Sequence, residues 1–148
     1  MNRGTITKEI ATTLKRLQDN GILLCLATGR SPVMLPAFEN IVFDAFLTYN
    51  GSLCYTGTQT IFRNCLTADD VTAILENADR LHHPLCVATK DRQAANGVED
   101  DLITYFHFAH SEVPVADDFA TVASDDVYQI MMAGTQEEYP AILKNTTS

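Results

Sequence analysis

Apolar residues recur along the chain in two rhythms, and the change of rhythm divides it. Ile10, Ala11, Leu14 and Leu17 trace one face of a helix that Thr7 opens as N-cap and Gly21 stops. The run Ile22-Leu23-Leu24-Cys25-Leu26-Ala27 is too short for a helix and rich in branched residues, so it reads as a buried parallel strand over 22–27. A short helix is expected around 32–39, starting near Ser31 and Pro32, then a strand near 44–49. Asn50-Gly51 marks a turn, commonly of the hairpin kind, and strands over 52–55 and 60–63 flank a second turn at Thr56-Gly57.

Further along, Thr67-Ala68-Asp69-Asp70 is a capping-box-like start for a helix with the apolar face Val71, Ile74, Leu75, Ala78 and Leu81. That helix should end near His82 and His83, before Pro84. Strands are expected over 85–89, 93–96 and 127–133, with a helix over 99–110. Thr135 caps a last helix, with Glu137 and Glu138 in its first turn, running to the chain end. The fold class is therefore α/β: residues 1–57 alternate helix and apolar strand in the parallel manner, and 58–148 form an α+β layer. The boundary falls near Gly57 to Ile61.

Composition narrows the class. With 148 residues, 46% apolar and 20% charged, the chain suits a soluble globular protein. A net charge of −9 argues against nucleic acid, whose binding needs clustered Lys and Arg. A small phosphate ester stays compatible, because local donors in a crevice outweigh distant net charge. No apolar run approaches the ~20 residues that span a bilayer, and Met1-Asn2-Arg3-Gly4 opens no signal peptide, so a cytoplasmic protein with no membrane partner is expected. Cys25, Cys54, Cys65 and Cys86 form no C-x-x-C pair and read as buried reduced thiols, ahead of disulfides or a metal site. His107 and His110 have the spacing of a metal pair but no third ligand in register.

The candidate chemistry lies behind the first two apolar strands. Thr28-Gly29-Arg30 follows the first at its carboxyl end, where open α/β sheets keep their ligand crevices. Thr28 offers a hydroxyl, Gly29 a close backbone approach, and the helix after Ser31 and Pro32 would aim N–H groups into the same crevice. Such an elbow alone is as often a helix cap or a tight turn, and Asn50-Gly51 alone is usually only a turn. Together, each behind an apolar strand, they point to phosphate. No G-x-G-x-x-G or G-x-x-x-x-G-K-S/T occurs, which disfavours dinucleotide and P-loop binding. Lys90, Asp91 and Arg92 are loop charges, either simply solvated or selecting a substrate's leaving group. Glu99-Asp100-Asp101 complements a helix N-terminus, and Tyr105, Phe106, Phe108 and Tyr128 read as packing.

The succession of Ile6-Thr7 opening a helix, Asn20-Gly21-Ile22, Leu26-Ala27-Thr28-Gly29-Arg30 and Thr48-Tyr49-Asn50-Gly51 resembles the haloacid dehalogenase superfamily and, within it, the Cof-like sugar-phosphate phosphatases. The resemblance implies a partial Rossmann-like core over 1–57 with an inserted α+β cap domain over 58–148. It implies a Mg²⁺-dependent hydrolase of small phosphorylated metabolites. Thr28 would be the catalytic hydroxyl that bonds the transferring phosphoryl group, and Gly29 would add its N–H. Arg30 would support the elbow or the ligand, and Asn50 would face the substrate entrance. The family's nucleophile and acid/base sit in D-x-D-G-T/V on a strand before the first helix. Here Gly4-Thr5 mimics the tail of that motif, but Asn2-Arg3 stand where the acids belong. The family's Lys and its Mg²⁺-binding G-D-x-x-x-D motif lie beyond the cap and are not found in these residues. The expectation is therefore a central piece of a longer phosphatase, inactive by itself and prone to association through an exposed sheet edge. The alternative is a non-catalytic phosphate-binding or interaction module.

Overall fold

Thr7 caps the first helix as its place ahead of the apolar stripe demands. Its hydroxyl accepts the Ile10 N–H at 3.3 Å, α1 runs Lys8–Asp19, and Gly21 turns away at φ 78°. The structure, a computed structural model, describes residues 6–38 and 40–143, and the chain divides into two units, Met1–Asn64 and Cys65–Ser148. The Gly4-Thr5 and Asn2-Arg3 positions, and the last helix beyond residue 143, lie outside the described residues.

In the first unit β1 (Cys25–Ala27), β2 (Ala45–Thr48), β3 (Leu53–Tyr55) and β4 (Thr60–Arg63) form one sheet in that order. β1 and β2 are parallel, with Cys25 opposite Ala45 and Ala27 opposite Leu47, and the next two pairs are antiparallel hairpins. Because β1 and β2 run parallel and in step, their carboxyl ends meet at one rim of the sheet. Phe46 and Tyr55 stack across β2 and β3 with centroids 5.1 Å apart.

Three expectations need correction here. The strand expected over 22–27 is shorter and is not buried: Cys25 and Ala27 are exposed and Leu23 is 78% exposed. Among the described residues β1 has β2 beside it on one side only, and α1 buries none of its side chains, so little screens this strand from water. The helix expected around 32–39 is a single 3₁₀ turn, Pro32–Met34. Pro36 has no N–H to continue it and keeps Leu35 extended at φ −73°, ψ 133°. Residues 58–63, expected to open the second unit, instead supply β4, because Thr56-Gly57 is a hairpin turn whose Thr56 hydroxyl accepts the Gln59 N–H at 3.2 Å.

The second unit opens on α2 (Ala68–Leu81). The Thr67 hydroxyl accepts the Asp70 N–H at 3.1 Å and donates to the Asp70 carboxylate at 2.7 Å, and His82 closes the helix in the left-handed region at φ 60°. β5 (Leu85–Ala88), β6 (Gln93–Ala95) and β7 (Gln129–Met132) make an antiparallel sheet ordered β6-β5-β7, and central β5 is buried throughout. Val71 and Ala78 of α2 pack with Leu85, Val87, Ala94 and Val127, joined by Val122 and Ala123 of a short helix α4 (Phe119–Ala123) that the sequence reading did not contain. Ahead of it α3 (Asp100–Phe108) buries Leu102 and Phe106, one turn apart. The aromatic residues read as packing divide: Phe106 and Tyr128 are buried, whereas Tyr105 and Phe108 are exposed. The thiols divide too. Cys86 is buried, and burial pushes its pKa up to about 12, whereas Cys54 and Cys65 are half-buried and Cys25 is exposed.

His83, in the turn after α2, joins two distant carboxylates. Its Nδ1 lies 3.0 Å from Glu99, which precedes α3, and its Nε2 lies 3.2 Å from Glu138, which precedes the last described helix, α5 (Tyr139–Leu143). The acid run lies at the α3 N-terminus as expected, with Asp100 and Asp101 in the first turn, while Glu99 at the N-cap position makes no side-chain cap bond and turns to His83. A neutral imidazole has one donor, so both bonds require the imidazolium. The Glu99 hydrogen bond, first among the causes, raises the His83 pKa above its ordinary 6.5. Glu138 is held below the usual carboxylate range, mainly by the Thr135 backbone N–H and also by the Thr135 hydroxyl and His83. A raised folded pKa means that this stabilisation is full below pH 6.5 and is lost as pH climbs through the folded value. The unfolding midpoint should fall by roughly 2–5 °C between pH 6 and pH 9, about the effect of one hydrogen bond on a unit this small. A His83→Gln protein should lack that slope; an equal slope in both proteins would assign it to other groups.

Candidate phosphate site at the sheet rim

The rim where β1 and β2 end together carries every site residue expected from the sequence. The Thr28 N–H continues the parallel ladder to the Leu47 carbonyl at 2.8 Å, and the chain then leaves the sheet. The Arg30 N–H donates to the Thr28 hydroxyl oxygen at 3.2 Å, a local turn that Thr side chains favour. Accepting there leaves the Thr28 hydroxyl its proton to donate elsewhere. Thr28 is half-buried, and Gly29 and Arg30 are exposed.

The second elbow closes on the first. Tyr49, Asn50 and Gly51 all have positive φ, 51°, 56° and 97°. Gly51 adopts this freely and Asn50 readily, but Tyr49 is an uncommon occupant of that region. Burial of Tyr49 at 4% exposure accompanies this conformation. The result is a pair of backbone bonds to the first elbow: the Asn50 N–H donates to the Thr28 carbonyl, and the Tyr49 N–H to the Arg30 carbonyl, both at 3.2 Å. The Asn50 side chain lies over Gly29 so closely that a Cβ there would meet its Oδ1 at 2.7 Å. A side chain at 29 would therefore have to push the exposed Asn50 amide aside, a constraint set by the approach of two segments and not by the dihedral angles of Gly29.

Thr28, Gly29, Arg30 and Asn50 are thus one cluster offering a hydroxyl, backbone N–H groups, a guanidinium and an amide. The helix N–H groups expected from 32–39 are not part of it, since that segment is one 3₁₀ turn. These groups suit an anion with several oxygens. They suit Mg²⁺ poorly, because that ion is held through carboxylates and this cluster has none. Among the described residues no group of three His, Cys, Asp or Glu side chains could hold a metal. His107 and His110 are both exposed, the second beyond the end of α3.

The whole chain, residues 1–148, matches the family of haloacid dehalogenase-like hydrolases. The chain belongs to that family. This haloacid dehalogenase-like chain is 25% identical over 138 residues to "Putative phosphatase YkrA" of Bacillus subtilis (strain 168), covering 92% of itself and 53% of that protein. A hypothetical protein of Geobacillus kaustophilus HTA426 has a similar crystal structure, with TM-score 0.82, 22% identity, and coverage of 97% of this chain and 57% of the other. The sugar phosphatase BT4131, of haloacid dehalogenase subclass IIB, superposes with TM-score 0.66 at 20% identity, covering 95% of this chain and 56% of its own. These likenesses establish the fold, a Rossmann-like α/β arrangement with a further α+β part. The chain spans about half the length of the relatives it matches.

Away from the rim, Arg92 of the loop considered for substrate selection is engaged by a carboxylate. The Arg92 guanidinium grips Asp118 through both nitrogens, at 2.6 and 2.9 Å, and holds that carboxyl below its ordinary range. Arg92 thus ties the β5–β6 turn to the start of α4. Tyr49 belongs to the Thr48-Tyr49-Asn50-Gly51 motif read from the sequence but had no role assigned there, since nothing in a tyrosine announces a positive φ.

Proposed function

We propose that this chain carries the phosphate-gripping part of a phosphatase that hydrolyses small phosphorylated metabolites such as sugar phosphates. One observation carries the reading: the elbow at 28–30 and the turn at 49–51 lock into a single rim cluster whose free chemistry is hydrogen-bond donation. Phosphoryl transfer needs fixed donors around the equatorial oxygens more than elaborate covalent chemistry. In this reading the Thr28 hydroxyl and the Gly29 N–H each donate to a phosphoryl oxygen. Arg30 supports the charge from the exposed side, and Asn50 borders the entrance.

The attacking carboxylate, which would form an aspartyl-phosphate, is assigned to residues outside this chain, because the cluster contains no acid. Members of the superfamily are generally metal-dependent phosphotransferases. Since the residues present do not fit Mg²⁺, its ligands are also assigned outside, and residues 65–148 are proposed as the cap that selects substrates. No helix among the described residues is long and apolar enough to cross a membrane. The lack of a carboxylate in the cluster favours a second reading for the chain on its own, a phosphate-binding module without turnover.

An assay with a generic aryl phosphate, with and without Mg²⁺, separates the two. The isolated chain should release no phosphate, and a longer polypeptide containing it together with D-x-D-G-T and G-D-x-x-x-D should do so when Mg²⁺ is present. Turnover by the isolated chain would place the nucleophile within it and overturn the assignment. An in-frame stop on both sides of the coding segment would leave the binding module as the better reading.

A further inference from the structure

The trans geometry of the peptide between Thr28 and Gly29 makes one carbonyl bond informative. In a trans peptide the C=O and N–H point in opposite directions. The Asn50 N–H holds the Thr28 carbonyl at 3.2 Å, and so it also fixes where the Gly29 N–H points, away from the 49–51 turn. The Tyr49 N–H pins the Arg30 carbonyl at the same distance, so both ends of the elbow are held by consecutive left-handed residues. The Asn50 amide occupies the space over Gly29, with Oδ1, Cγ and Nδ2 at 2.7, 3.4 and 3.5 Å from where a Cβ would stand. Swinging the Gly29 peptide would break the Asn50 bond.

We infer that Asn50 is a positioning residue: its left-handed backbone aims the Gly29 N–H at the anion, and its side chain fills the space that a Cβ at 29 would take. This rests on the phosphate-gripping reading above. It goes beyond that reading in assigning the backbone of Asn50, rather than a contact between its amide and the substrate, as the main contribution. Tyr49 shares the task through the Arg30 carbonyl.

Substitutions at 50 and 29 separate backbone from side chain. Glycine keeps the left-handed conformation without the amide, whereas alanine loses the amide and also disfavours that conformation. The probe is inorganic phosphate titrated into the ¹⁵N-labelled chain, read by the amide shifts of Thr28, Gly29 and Arg30. Asn50→Gly should weaken binding about threefold and Asn50→Ala about tenfold or more, the difference being the cost of a left-handed alanine. Gly29→Ala should weaken binding at least about tenfold, and the double variant Gly29→Ala/Asn50→Gly should recover most of that loss, since the atoms met by the new Cβ are gone.

Recovery would show that the Asn50 amide is what a side chain at 29 displaces, and the difference between glycine and alanine at 50 reads the contribution of the backbone. Equal losses in Asn50→Gly and Asn50→Ala, or a double variant as weak as Gly29→Ala alone, would overturn the inference. Should Gly29→Ala fail to fold, the pair of Asn50 variants decides. If the unsubstituted chain shows no shift at 28–30 with phosphate, the underlying phosphate reading falls instead, an outcome distinct from either of the others.

Discussion

Alanine at Thr28 should lower turnover of a small phosphate ester about 10²-fold in a phosphatase containing this chain, the usual weight of one transition-state donor. The Thr28 oxygen already accepts from the Arg30 N–H at 3.2 Å, so its proton is the part available to a ligand. Removing the hydroxyl deletes that donor and also loosens the turn that orients the Gly29 peptide. Thr28→Ser, which keeps the hydroxyl, should lose only a few-fold by comparison. The loss should appear in kcat more than in KM, because a donor matched to equatorial oxygens acts most strongly as charge develops. An alanine enzyme as fast as the parent would remove Thr28 from the chemistry and leave it an ordinary turn residue.

A second large effect is expected far from the rim. Phe106 is 1% exposed, whereas Phe108, two positions along the same helix, is 88% exposed. Truncating Phe106 to alanine should cost roughly 3–5 kcal/mol, combining lost transfer energy with the cavity left behind. Phe108→Ala should stay within about 0.5 kcal/mol of the parent. Urea unfolding followed by circular dichroism measures both. Similar values for the two substitutions would mean that α3 does not pack through the face described.

The contrast between these phenylalanines shows what the sequence conveys and what it withholds. Local chemistry was legible: Thr7 and Thr67 are the caps they were expected to be, because an N-cap acts over three or four residues and needs nothing from afar. Periodicity failed where elements are short. A five-residue helix at Phe119–Ala123 has too few turns to show a stripe, and Pro36 cut the 32–39 segment to one turn despite an inviting Ser31-Pro32 start. The strand over 22–27 was misjudged because apolar content says that a segment can be buried, not that neighbours exist to bury it.

The site was legible in its parts and not in its assembly. Both elbows could be picked out from Thr28-Gly29 and Asn50-Gly51, but their contact depends on the parallel register of Ala27 against Leu47, which no local pattern encodes. The same holds for His83, whose carboxylate partners lie 16 and 55 positions away. Lys90-Asp91-Arg92 read as loop charges, solvated or selecting a leaving group, and the pairing of Arg92 stayed hidden because Asp118 lies 26 positions beyond it.

The uneven burial of the thiols has a practical use. A maleimide fluorophore reacts through thiolate, so Cys86, enclosed and held near pKa 12, stays silent while Cys25, exposed on β1, is open to labelling. Once the two half-covered cysteines are changed to serine, a dye at position 25 would sit a few residues from Thr28 and report optically on occupancy of the rim.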